Sequence, residues 1–193
     1  MARQVPGATL KRIFGNLFKR DFGIMDSQTP PEENSSFRDF VSPTFGRLTL
    51  DEMFARSVEY IRSDPSRKYN LIIGTDSFLN SETLFVSAVI IHKVGHGGRY
   101  FYIKNRRKKI ENMRQRIFYE ATMSIELASI IRAKLNENGF KKLPVEIHLD
   151  VGDNGATKEI IREVVGMVTG SGYAARTKPE SFGASKVADR HSK

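Results

Sequence analysis

Cysteine is missing from the 193 residues, so disulfide scaffolds, thiolate nucleophiles and cysteine-ligated zinc or iron-sulfur centres are excluded. A reducing, cytoplasmic setting fits that composition, and any metal must sit on oxygen or imidazole. Histidine is scarce as well: His92, His96, His148 and His191 are scattered without zinc-ligand spacing. No apolar run approaches the ~20 residues of a bilayer-spanning helix, so no integral membrane contact is expected. Gly-x-Gly-x-x-Gly and Walker patterns are lacking, which leaves no phosphate-cradling loop for a nucleotide cofactor. Acids are the minority, with 22 Asp and Glu against 31 Lys and Arg and a net charge of +9. That surplus favours a polyanionic partner, nucleic acid foremost.

What is present divides into a tail, a linker and one domain. Met1–Gly23 carries Arg3, Lys11, Arg12, Lys19 and Arg20 against the lone acid Asp21, with Leu10, Ile13, Phe14, Leu17 and Phe18 at helical spacing. Residues 1–25 therefore read as a basic amphipathic extension. A nucleic-acid or membrane arm and organellar targeting are the secondary readings of this acid-poor stretch, whereas Lys11, Arg12 and Asn16 interrupt any secretory apolar region. Residues 26–36, DSQTPPEENSS, have no apolar periodicity and read as a disordered linker. The folded domain is expected over 37–193.

Thr49-x-x-Glu52 is a capping box, and Leu50, Met53, Phe54, Val58 and Ile61 give the helix behind it one apolar face, stopped at Asp64-Pro65-Ser66. Residues 69–76, 84–92 and 99–104 are rich in β-branched and aromatic side chains and separated by turn-forming segments, which predicts three antiparallel strands. A long helix over about 110–136, a strand over 145–150, a helix over 156–169, a short strand in Tyr173–Thr177 and a short terminal helix follow. The order β-β-β-α-β-α-β-α predicts an α/β fold built on a mixed five-stranded sheet, three antiparallel strands and then α-β-α-β-α, with helices packed on it.

Chemistry concentrates where strands end. Asp76 closes a hydrophobic strand after Gly74-Thr75, and Asp150 closes another, so a parallel pairing brings both carboxylates to one sheet edge. Two acids there repel unless a cation such as Mg²⁺ or Mn²⁺ neutralises them, and phosphoryl transfer uses that charge. The plainer alternative is that both only cap turns. Glu146, His148 and Asp150 alternate along one strand and share a face, which makes His148 a candidate to orient a water or a carboxylate. Lys104, Arg106, Arg107, Lys108 and Lys109, followed by Arg114 and Arg116, form the candidate phosphate-contact rim.

The segments IGTDS (Ile73–Ser77), HLDVG (His148–Gly152) and KPESFGASKVADR (Lys178–Arg190) resemble the YkuK-type ribonuclease-H-like family of small bacterial proteins, over roughly Phe45 to the C-terminus. The resemblance implies a ribonuclease-H-like fold and a metal-dependent nuclease acting on RNA, DNA or a hybrid through two Mg²⁺ or Mn²⁺ ions. It also implies a third carboxylate from the helix after the third strand, where Glu111, Glu120 and Glu126 stand. The strand to Asp150 climbs about 20 Å at ~3.3 Å per residue, which an antiparallel helix covers in about 13 residues. Counting back from 136–138 reaches 123–125 and favours Glu126. Glu120 is rotated about 120° from it and lies ~9 Å further along the axis. The run Glu126-Leu127-Ala128 also resembles the acidic helix start of classical ribonucleases H. The last ligand of such a site comes from a C-terminal helix, which points to Asp189, with Asp153 as the other candidate. Lys178 and Ser185 join the candidate phosphate or metal-edge contacts. The expected catalytic set is thus Asp76, Glu126, Asp150 and Asp189, with Glu120 and His148 as reserves. A non-catalytic nucleic-acid-binding or adaptor module on the same fold is the second reading. Nucleotide handling of the actin-like ATPase kind, which needs two such domains, is a distant third.

Overall fold

The computed structural model describes residues 37–152 and 158–191; the readings of residues 1–36 and of Asp153 fall outside them. Thr49 opens the first helix as the capping box requires. Its Oγ1 accepts the Glu52 N–H at 3.2 Å, and Glu52 Oε2 accepts the Thr49 N–H at 2.8 Å. In chain order the elements are β1 Phe40–Ser42, β2 Gly46–Leu48, α1 Leu50–Arg62, β3 Tyr69–Leu79, β4 Thr83–Lys93, β5 Gly98–Arg107, α2 Met113–Glu137, β6 Val145–His148, α3 Lys158–Gly170, β7 Ala174–Arg176 and α4 Gly183–His191.

The five expected strands form the middle and one end of the sheet, whose full order is β2-β1-β5-β4-β3-β6-β7. β3, β4 and β5 pair antiparallel, β6 runs parallel to β3, and β7 runs parallel to β6. The expected count of five is corrected to seven, because a hairpin precedes α1. Its strands have three residues each, too few to show alternation in sequence. Gly46, at φ 73, makes the turn back. β1 pairs with β5 at Val41 and Tyr102 and so covers what would otherwise be an open sheet edge.

Alternation along the strands divides the side chains between two faces. Leu71 and Ile73 of β3, Val89 and Ile91 of β4 and Ile147 of β6 join Met53, Ile125, Ile131, Leu135, Val164 and Val168 from α1, α2 and α3 in the main core. On the opposite face a small cluster of Val86, Ala88 and Tyr102 meets Val187 of α4. α4 starts pressed against the sheet: a Cβ on Gly183 would come 2.8 Å from Ile90 Cδ1 and 3.2 Å from Ile72 Cγ2. A larger residue there would lift the helix off. No helix among the described residues is long and apolar enough to cross a membrane.

One polar thread runs through the main core. Ser124 Oγ of α2 lies 3.0 Å from Thr75 Oγ1 of β3, which lies 2.8 Å from Ser87 Oγ of β4, all three residues being buried. Buried hydroxyls need partners, so this thread fixes the height of α2 against β3.

Candidate active site

The pairing of β3 with β6 ends at Ile73 beside Ile147. Three residues beyond each lie Asp76 and Asp150, which therefore leave the sheet side by side. β3 does not end at Asp76 as its sequence suggests: Ser77–Leu79 continue against Thr83–Phe85 of β4. β6 stops at His148, and the notch beside the continuing β3 opens into a cleft of about 320 Å³ that Asp76, Glu120, Asp150, Arg116 and Lys178 help to line.

Glu120 enters this cleft from α2, and Glu126 does not. Ser124 is level with Thr75, and Glu120, one helical turn before it on the same face, is level with Asp76 and Ser77. Glu126 is about 200° round the helix from Ser124 and is exposed. The expectation that favoured Glu126 is corrected on placement, and the cause is an overhang. Arg132 Nη1 donates to the Leu143 carbonyl at 2.9 Å, so the turn of α2 beyond Arg132 passes below the start of β6. The same count of about 13 residues, begun near Arg132, arrives at Glu120.

The charges in the cleft act on one another. Burial pushes the Glu120 carboxyl up to about 8 from its ordinary 4.5, the charges of Asp76 and Asp150 add to this, and a hydrogen bond with the Ser77 side chain and the Arg116 charge oppose it. Asp76 is pushed up to about 6 from 3.8, first by burial and then by Asp150; the Ser77 N–H, which donates to its Oδ1 at 2.8 Å, holds it back. Lys178 Nζ stands 2.9 Å from Asp150 Oδ1.

The remaining expected residues lie at different distances from this cluster. Asp189 is on the exposed side of α4, close enough for its charge to act on Asp76 and Lys178. Ser185 is half-buried on the same helix. His148 is buried under the start of α4 and does not line the cleft. Its Nδ1 accepts the Gly183 N–H at 3.4 Å, Phe182 packs edge-on at 5.5 Å, and Nε2 faces Glu146 Oε2 at 3.6 Å. Burial lowers its pKa, and these contacts make it a support for α4. Lys104, Arg106, Arg107, Lys108 and Lys109 are exposed on the end of β5 and after it, with Arg106 near Glu82 at 3.7 Å and Lys109 paired to Glu111 at 2.8 Å.

Two cleft residues had only weak sequence signals. Ser77 follows Asp76 directly and holds both Asp76 and Glu120. Arg116 belongs to the basic run but sits one turn before Glu120 in the cleft wall, with a buried Nε that has no hydrogen-bond partner among the described residues.

Among the described residues no three His, Asp or Glu groups close into a ready-made cation cage. The chemistry of the donor set nonetheless suits a hard divalent ion. Three carboxylates share the cleft, and two of them are held above their ordinary range by burial and mutual repulsion that a cation would relieve.

A family model described as Ribonuclease H-like matches residues 52–193. The chain is also 31% identical over 167 residues to the uncharacterized protein YkuK of Bacillus subtilis (strain 168), covering 80% of this chain and 96% of that protein. No solved structure matches it.

Proposed function

This chain belongs to the YkuK-type ribonuclease H-like family, and from that premise we propose that it is a metal-dependent nuclease hydrolysing phosphodiester bonds of RNA or DNA. The observation that carries the reading is the convergence of Asp76, Glu120 and Asp150 on one cleft, where burial and mutual repulsion hold two of them above their ordinary range. These three, with Asp189 from α4, would hold two Mg²⁺ or Mn²⁺ ions. Such ions would supply a water of lowered pKa and charge stabilisation for the leaving oxygen.

The protein's own part is binding and orientation. Arg116, in the cleft wall, is placed to bring its guanidinium charge to a phosphate oxygen. Ser77 holds Asp76 through its N–H and Glu120 through its side chain, which fixes their separation. The exposed basic run from Lys104 to Lys109 leads into α2, whose first residue, Met113, reaches the cleft. A backbone bound along that run would arrive at the acids, with an affinity that falls steeply with salt. None of these contacts reads a base, so no sequence preference is expected.

The test is cleavage of labelled single-stranded RNA, single-stranded DNA, both duplexes and an RNA–DNA hybrid, with Mg²⁺, Mn²⁺ or EDTA, by wild type and Asp76→Asn. Cutting that needs the metal and disappears in the variant supports the reading. Salt-sensitive binding by both proteins without cutting of any substrate overturns it in favour of a binding module.

A further inference from the structure

Among the described residues only Arg116 and Lys178 bring positive charge into the lining of the cleft, and they stand differently. Arg116 faces Glu120. Lys178 is built as an arm. Its N–H donates to the Val151 carbonyl at 2.9 Å, its stem lies over Gly152 so that a Cβ there would touch Lys178 Cβ and Cδ at 3.5 and 3.6 Å, and its ammonium reaches Asp150 Oδ1 at 2.9 Å. Asp76 and Asp189 act on the same ammonium. Of the other basic candidates, Arg106, Lys109 and Arg114 have acids of their own outside the cleft, in Glu82, Glu111 and Glu163.

We propose that Lys178 is a tethered counter-ion that competes with a divalent cation for Asp150 and so sets how tightly the cleft takes up metal. This deepens the nuclease reading and rests on it. A carboxylate oxygen with an ammonium 2.9 Å away presents a weaker field to an incoming ion, and the ammonium adds repulsion of its own. The pair is also easily broken, because the Lys178 side chain is 53% exposed and half-solvated ion pairs are weak. An ion entering at Asp76 and Asp150 therefore displaces Lys178 without disturbing the fold. The released ammonium remains anchored at its backbone beside the cleft, within reach of a bound phosphate. The arm neutralises the acids while the cleft has no metal and withdraws when metal arrives.

The experiment is a calorimetric Mn²⁺ titration, without nucleic acid, of wild type, Lys178→Met and Lys178→Arg at one low ionic strength. Met keeps the stem and removes the charge, whereas Arg keeps the charge. Lys178→Met is expected to bind Mn²⁺ about fivefold to tenfold more tightly than wild type, with Lys178→Arg within about twofold of it. Equal or weaker binding in Lys178→Met overturns the inference and leaves the nuclease reading standing. Absence of Mn²⁺ binding in all three proteins overturns both. Unfolding curves of the three without metal exclude a folding defect as the cause of any difference.

Discussion

Towards α1, α2 and α3 the sheet presents Leu71, Ile73, Val89, Ile91 and Ile147, closed over by the apolar faces of the helices. Towards α4 it presents Val86, Ala88 and Tyr102, but also Asp76, Glu146, His148 and Asp150. Among the described residues the first face has three helices over it and the second has only the nine residues of α4. α4 is held by Val187, by His191 stacked on Tyr102 at 4.0 Å and by a 3.0 Å contact between Tyr100 Oη and His191 Nε2. The thick side carries the stability and leaves the thin side free to hold acids that repel one another. Glu120 breaks this division. It comes from the thick side, reaches the sheet edge where β6 has ended, and is there the most strongly perturbed carboxyl of the cleft.

The sharpest break of the comparison is Asp76→Asn. Cleavage is expected to fall on the order of 10³-fold in a rate assay, while the unfolding midpoint holds or rises, because the change removes a repelled charge and no packing. Ile131→Ala on the thick side should do the reverse. It empties a site that is 2% exposed and is expected to cost about 3 kcal/mol in urea unfolding with little change in the rate of the remaining folded protein.

A pH series without metal comes next. Glu120 and Asp76 have folded values of about 8 and about 6 against ordinary values of 4.5 and 3.8. At pH below the ordinary values both are protonated whether the chain is folded or not, and their contribution to stability is fully present. As pH rises the unfolded chain ionises them freely while the folded chain resists, so stability is lost up to about 8 and then levels. Unfolding free energies from urea in EDTA should show a loss of several kcal/mol between pH 5 and 8, most of it gone in Glu120→Gln. The smallest effect belongs to Val187→Ala under α4. It should cost about 1 kcal/mol, yet lower cleavage several-fold by loosening the helix that carries Asp189.

The sheet, its helices and the two aspartates were legible because they rest on local signals: β-branched runs, a capping box, and an Asp at the end of each of two apolar stretches. The hairpin of Phe40–Ser42 and Gly46–Leu48 was not, since three residues cannot display a period of two. Glu120 was passed over for a different reason. Which turn of α2 meets the sheet edge depends on how far the helix overhangs β6, and that is set by the Ser124 contact with Thr75 and by Arg132 on the Leu143 carbonyl. Each joins residues far enough apart in the chain that no local pattern reveals it. Lys178 was legible as a cation near the site, but its reach to Asp150 depends on the turn before α4 laying its stem over Gly152.

The most direct test sets Glu120→Gln beside Glu126→Gln in a Mn²⁺ titration at pH 7.5. The two residues share a helix and a chemistry, and differ in that one is buried in the cleft and the other exposed. Binding at least about tenfold weaker in Glu120→Gln, and unchanged in Glu126→Gln, is the predicted result. Unchanged binding in Glu120→Gln, or a loss in Glu126→Gln, would contradict the account.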